Sequence, residues 1–539
     1  MFSNKIKLVL LIILISEFIY PQVNQKWVNR YNGIQDGRDG SNSIICDSNG
    51  NIYVAGYTQK NGYQFCTIKY NSFGNRLWER TYTGSDHFAD LDCQAVSIKL
   101  DSYNNVIVGG YCNMVNGGFD FYIIKYKNNG DTLWVRQYNS PENGHDEILD
   151  LTIDENNFIY VTGVKDINGV SDYCTIKYNP NGNIIWIRTY NGLSNSQDEA
   201  TSIKVDDKLN VYITGSSRDS NYQVYFTTIK YDSSGNVLWK NKYRSGAFDE
   251  KKVMVDKNYN VIVTGTCYNP WNGFCAIKYD SSGNQKFASV YGTDYIAHNG
   301  AIDKLGNIYV IGEYWENYNS NWGFCSVKFD SSGNYEWERK KFDVNGHSTA
   351  GALGIALDSN NNIFVTGYLH SDYYTVKYNT GGTKIWDIIY NGTSSDIDKA
   401  TSIAIDKFND IVVTGYSSGT GAYHNYDIVT IKYSESSNII KNINFIPNVF
   451  SLYQNYPNPF NPVTTIKFDI PALKGKTGLV KIDIFDLLGK KISSLVNENI
   501  SSGSYSVNFD ASRLATGTYV YRLSVNNEVI ATKKMLLIK

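Results

Sequence analysis

The sequence predicts an all-β protein, with eight four-stranded sheets in a closed ring followed by one small β-sandwich. Three observations predict it. The string Asn51-Ile-Tyr-Val-Ala-Gly56 recurs in degenerate form, closing at Gly110, Gly163, Gly215, Gly265, Gly312, Gly367 and Gly415, 47 to 55 residues apart. Each recurrence brings short apolar runs divided by Gly- and Asp-marked turns, the pattern of antiparallel strands. Proline changes texture late: five of the nine fall between Pro447 and Pro471, where the repeat has ended.

The first 22 residues read as a signal peptide, with Lys5 and Lys7 ahead of the eight-residue apolar run Leu8 to Ile15. Such a run is too short for a bilayer, which needs about 20 residues. Cleavage is placed near Gln22. No later stretch is long and apolar enough for a membrane helix. With 42% hydrophobic residues the chain can bury large cores, and its net charge of −2 lacks the basic field of a nucleic-acid binder.

Residues 23–445 carry the repeat. In one unit the strands are expected at Thr201–Val205, Asn210–Thr214, Thr227–Tyr231 and Val237–Tyr243. Asp232-Ser-Ser-Gly-Asn236 joins the last two, and Asp and Gly there suit a type I turn with a bulge. Four strands per roughly 50 residues, many times over, mark a β-propeller. Strand four repeats an aromatic residue at Trp78, Trp134, Trp186, Trp239, Phe287, Trp337 and Trp386, but the eighth unit has Lys441 there. Trp27-Val-Asn-Arg-Tyr-Asn-Gly33 precedes the first unit and looks like a strand four, so it is expected to close the ring. The rival is that 438–445 fills that slot.

The units resemble the SBBP family of bacterial β-propeller repeats, in the form Asp-Ser-x-Gly-Asn-Ile-Tyr-Val-x-Gly-Tyr, from Trp27 to Tyr433. The family name implies seven blades, whereas eight are counted here. Gly235-Asn-Val-Leu-Trp239 also resembles the tryptophan-docking motif of quinoprotein propellers, and more faintly the Asp-box of sialidases, both with altered spacing. Both are packing devices and carry no function alone.

Residues 446–539 form the tail. Tyr456-Pro-Asn-Pro-Phe-Asn-Pro462 cannot be a central strand, because each proline lacks an N–H. Strand-like runs follow at Thr464–Ile470, Leu479–Phe485, Ser504–Phe509, Tyr519–Val525 and Val529–Ile538, which suggests a small Ig-like sandwich. The lead-in from Leu452 to Ile466, with Ile484 to Lys490, Gly517 to Leu523 and Lys533 to Lys539, resembles the type IX secretion C-terminal sorting domain. The positions that carry the motif are Asn455, Tyr456, Pro457, Asn458, Pro459, Phe460, Asn461, Pro462, Gly489, Gly517 and Tyr519. The resemblance implies export by that machinery across the outer membrane of a Bacteroidetes-like bacterium, to the cell surface or the medium.

Regular charges read as scaffold. One Lys and one Asp recur in every unit, and a property shared by all blades usually serves the frame. The informative positions break the repeat. All six His lie in the longer loops opposite the tight turns, but none share a metal-binding spacing, so no metal is predicted. Calcium has no support, and no cofactor is expected. Trp271, Trp315 and Trp322 are the three Trp outside strand four, in the strand-two-to-three loops of blades five and six. With Tyr268, Asn272, Tyr314 and Tyr318 they suit stacking on sugar rings or a protein interface. The pairs Asp146-Glu147, Asp198-Glu199 and Asp249-Glu250 are expected to anchor loops. Cys66, Cys174, Cys275 and Cys325 occupy one strand-three position and read as small buried hydrophobes; Cys267 and Cys275 stand within reach across one hairpin.

The sequence thus points to an exported propeller that binds a glycan or protein without catalysis. The alternatives are a polysaccharide hydrolase or lyase with carboxylates in the loop face and, more weakly, a quinoprotein-like oxidoreductase.

Overall fold

A computed structural model describes residues 23–538, apart from 85–91, 114–117, 142, 168, 193–194, 246–250, 269–271, 317–320, 343–348, 395, 420–424, 436–438, 443–445, 474–476 and 512–513. Residues 1–22, expected to be a signal peptide, lie outside this description. Two compact units result, one spanning Gln25–Ser434 and the other gathering Glu435–Lys539. No helix of the described residues is long and apolar enough to cross a membrane.

The first unit holds eight four-stranded antiparallel sheets. Seven are contiguous in sequence, beginning with the strands Gly40–Cys46, Cys93–Leu100, Asp146–Ile153, Asp198–Val205, Lys252–Val255, Tyr295–Ile302 and Ala350–Leu357. The eighth has Asp398–Ile405, Ile411–Ser418 and Tyr426–Glu435, with Val23–Tyr31 on its outer edge. The first strands of successive sheets touch one another in order, and the eighth touches the first, so these strands ring a central axis. Closure by the N-terminal strand leaves neither end of the ring as an unpaired sheet edge.

The rival strand goes elsewhere. Ile439–Asn442 pairs with Gly503–Asp510 in the tail, so the expected boundary at 445/446 moves back to Ser434/Glu435. The physical reason is that Val23–Tyr31 already occupies the blade edge, leaving the later segment's backbone to hydrogen-bond in the tail.

The blades are joined by the repeated aromatic residue. Trp186 Nε1 donates to the Ser233 carbonyl of the next blade at 3.2 Å, and Lys177 Nζ donates to the same oxygen at 3.0 Å. Arg188 Nε reaches Gly235 O at 2.6 Å. Gly235 has φ +80°, and a Cβ there would lie 3.0 Å from the Trp186 ring. Glycine is therefore required twice at this turn, for its backbone and for the stacked indole. Trp27 repeats the contact across the closure, donating to Ser72 O at 3.3 Å while Asn29 donates to Gly74 O at 2.7 Å. The recurrent Asp organises the turn from strand one to strand two: Asp47 accepts from the backbone N–H groups of Asn49 and Asn51 and from the Tyr53 hydroxyl at 2.8, 2.9 and 3.0 Å.

The tail has two four-stranded sheets. Ile466, Phe468 and Val507 from one and Val480, Ile482, Tyr521 and Leu523 from the other share one apolar core. Lys491–Ser501 is a strand the sequence reading did not place; it pairs with Thr477–Phe485 through two irregularities, which blur its alternation. The proline-rich lead-in is clasped to the last strand. Phe460 N donates to Leu536 O and Ile538 N to Phe460 O, both at 3.0 Å. Asn455, buried, donates to Pro457 O and to Thr464 Oγ1, both at 3.0 Å. Tyr456 is 82% exposed.

Two disulfides form, Cys93–Cys112 and Cys267–Cys275. Cys275 is thus bonded, unlike its repeat equivalents Cys66, Cys174 and Cys325, which are buried free thiols. Cys93 and Cys112 face each other as register partners on adjacent strands of blade two.

Candidate functional site

Blade six carries the densest departure from the repeat. Its second and third strands, Ile308–Glu316 and Asn321–Phe329, extend toward the loop-rich face, and Trp315 pairs directly with Trp322. Their rings meet edge to face, with centroids 5.0 Å apart, and both are half-buried. Side chains alternate along a strand, so Glu313 shares the face of Trp315 while Tyr314 takes the other.

That alternation divides the predicted cluster. Tyr314 is 4% exposed and packs near Tyr295 and Phe342, with ring centroids 6.0 and 6.3 Å away, in the core between blades five and six. It is a packing residue there, which corrects the expectation that it contacts a ligand. Glu313 points the other way, to blade seven, where the Tyr368 hydroxyl donates to Oε1 at 2.8 Å. The Trp pair therefore belongs to the blade-seven side of the sheet. Tyr268 is 44% exposed, pairs with Asn272 across its own hairpin, and has the Arg244 guanidinium of blade four 5.2 Å from its ring. Trp271 and Tyr318 lie outside the described residues. Among the predicted residues, then, the structure pairs Trp315 with Trp322 and Tyr268 with Asn272.

Beneath the Trp pair is a polar group that the sequence reading missed. His298 Nε2 lies 3.1 Å from Glu313 Oε1, on the oxygen that also accepts from Tyr368. Lys399 Nζ lies 4.0 Å from the Tyr368 ring centroid. Burial pushes the Glu313 carboxyl up, but hydrogen bonds from His298 and Tyr368 and the Lys399 charge outweigh it and hold the acid below its ordinary range. Gly351 makes room, since a Cβ there would lie 2.5 Å from Oε1. The signal was available: the residue after the repeat glycine is Tyr57, Tyr111, Val164, Ser216, Thr266, Tyr368 or Tyr416 in the other units, and Glu only at 313.

Two other loop-face carboxylates, Asp146 and Asp198, serve the frame. Asp146 accepts from the Ser140 N–H and Asp198 from the Gly192 N–H, each tying the incoming loop to the start of strand one. Asp249 and Glu250 lie outside the described residues. Among the described residues no three His, Cys, Asp or Glu side chains come together as a metal site.

Residues 30–64 match the β-propeller repeat, and residues 454–539 match the secretion system C-terminal sorting domain. The chain thus carries a β-propeller repeat and a secretion-system sorting tail. Such a tail implies export to the cell surface or beyond by the type IX machinery. The chain is 23% identical over 413 residues, 69% of its length, to an uncharacterised WD repeat-containing protein of Acanthamoeba polyphaga mimivirus. The chain spans about a quarter of that relative's length, 24%. Among solved structures, the propeller domain of the trilobed protease of Pyrococcus furiosus matches at 9% identity and TM-score 0.36, covering 63% of this chain and 93% of that one. Drosophila plexin A, solved in complex with semaphorin 1b, matches at 9% identity and TM-score 0.41, covering 76% and 88%.

Proposed function

We propose that the mature protein is an extracellular binding or adhesion module that holds a glycan or protein ligand on the loop-rich face of blades six and seven. The observation that carries this reading is the Trp315–Trp322 pair, two half-buried indoles at a hairpin tip where the repeat provides none. Indole faces offer large rigid area for stacking on sugar rings or for a protein hot spot. The scaffold beneath is stiffened by interblade docking, so the ligand meets a surface that loses little entropy on binding. Trp315→Ala with Trp322→Ala in the full chain should abolish capture on a glycan array and a surface-protein pull-down, with circular dichroism and melting unchanged. Undiminished capture would remove the Trp pair from the site.

A second reading, a hydrolase or lyase, is favoured by Glu313. It is an enclosed carboxylate with a His and a Tyr on one oxygen, on the same strand face as Trp315. A carboxyl held below its ordinary range suits a nucleophile or an electrostatic stabiliser rather than a general acid. Glu313→Gln separates the readings: loss of polysaccharide turnover with binding intact supports the enzyme, and absence of turnover in the unaltered protein supports the binding module.

A further inference from the structure

The inner strands also bring together a charge cluster that belongs neither to the loop face nor to the repeat. Asp150 stands on the first strand of blade three. Its carboxylate accepts from Ser202 Oγ at 3.3 Å and from the Ile203 N–H at 3.2 Å, both on blade four, and from Ser97 Oγ of blade two at 3.5 Å. Lys252 Nζ, from blade five, is also 3.5 Å away. One side chain thus meets three other blades, and blade five is not its neighbour. That contact passes blade four on the inner side of the ring, so these groups line the central bore.

Two further lysines face the same space. Lys99 stands on blade two and Lys204 on blade four, each two residues beyond the repeat-equivalent positions Ser97 and Ser202. Among the described residues Lys99 makes only long hydrogen bonds, to Ser97 Oγ at 3.4 Å and Ile98 O at 3.3 Å. Burial pulls its ammonium down; Asp150 opposes this, and Lys252 and Lys204 add to it. At these two levels the other blades carry Ser, Asn, Gly, Thr or apolar residues, as at Ser43, Asn299, Gly354 and Thr152. Lys252 and Lys99 therefore share one carboxylate, and Lys204 adds a third positive charge near Lys99. Glu147 and Glu199 lie on the same strands nearer the loop-rich mouth, where Asp146 and Asp198 anchor the loops.

We propose that the central bore holds an anion-binding site, formed by Lys99, Lys204 and Lys252 around Asp150, that takes a phosphate, sulfate or carboxylate group. Like charges gathered at one place repel, and an oxyanion relieves that repulsion by accepting several charge-assisted hydrogen bonds at once. The site is independent of the Trp pair, so either can fail without the other.

Isothermal titration of the full chain with inorganic phosphate, sodium sulfate and glucuronate, in chloride buffer of matched ionic strength, tests the site. Saturable binding with Kd near or below about 1 mM is expected for at least one anion. The preferred anion distinguishes an inorganic or ester oxyanion from a carboxylate. Lys99→Met with Lys204→Met should weaken binding at least about tenfold, a change of about 1.4 kcal/mol. It should not lower the melting temperature in chloride, because Asp150 keeps Lys252. Asp150→Asn provides a second readout and should tighten phosphate binding. No saturable heat with any of the three anions, or equal affinity in the double-Met variant, would overturn the proposal.

Discussion

Trp186 joins two blades through both its ring and its N–H. Trp186→Phe keeps most of the ring and loses the hydrogen bond to Ser233 O, so about 1 kcal/mol of stability should go. Trp186→Ala also opens a cavity and should cost about 3–5 kcal/mol. Urea unfolding of the two variants measures both. The natural Phe287 already lacks the N–H, and there Ser289 Oγ donates to Gly333 O at 2.5 Å. A different device operates at Asp172. Burial and the neighbouring Asp198 push its carboxyl up to about 6. The folded state then binds a proton that the unfolded chain releases near 3.9. This contribution to stability is full below about pH 4 and is lost as pH rises through about 6. Asp172→Asn should raise the melting temperature at pH 7.5 and flatten its decline between about pH 4 and 7, as read by thermal melts across that range.

Among elements, the strand Val23–Tyr31 carries most responsibility for its length. It gives the eighth blade its outer strand, puts Trp27 on the first blade, and holds Asp427 through Arg30 at 2.7 Å and Asp410 through Lys26 at 3.0 Å. Asp427 is buried, so losing Arg30 leaves a desolvated carboxylate without its cation. Deleting 23–31 should lower the melting temperature by well over ten degrees, since it removes strand pairing, a docked indole and a buried ion pair together. A drop of only a degree or two would mean that another segment fills the edge.

At the scale of the whole molecule, two compact units share one chain. A chain ending at Ser434 should retain the cooperative unfolding transition of the propeller, because Val23–Tyr31 completes its last blade. In a bacterium with type IX secretion, that same chain should accumulate in the periplasm while the full chain reaches the surface, as fractionation would show. The clasp between Phe460 and the last strand makes the tail a structural whole, so truncation within it should unfold the signal rather than trim it.

The ring, its eight units, the N-terminal closing strand and the sorting motif were legible in the sequence because each rests on local chemistry repeated at a fixed period. Short apolar runs make the strands, Asp and Gly make the turns, and the indole every fifty residues or so marks the docking point. The three odd Trp were equally visible, but the face each occupies was not. Whether Tyr314 lies in the core and Trp315 at the surface depends on which blade meets which side of the sheet. Glu313 could have been flagged by its break in the repeat; its His298 and Tyr368 partners could not, since they come from a different strand and a different blade. The same holds for Asp150, whose lysine partners lie 51 residues before it and 102 after. Periodicity within the chain determined the blades, the turns and the tail. Closure of the ring alone decided which side chains meet inside its bore and between its blades, because those contacts depend on distance in space and not on distance along the sequence.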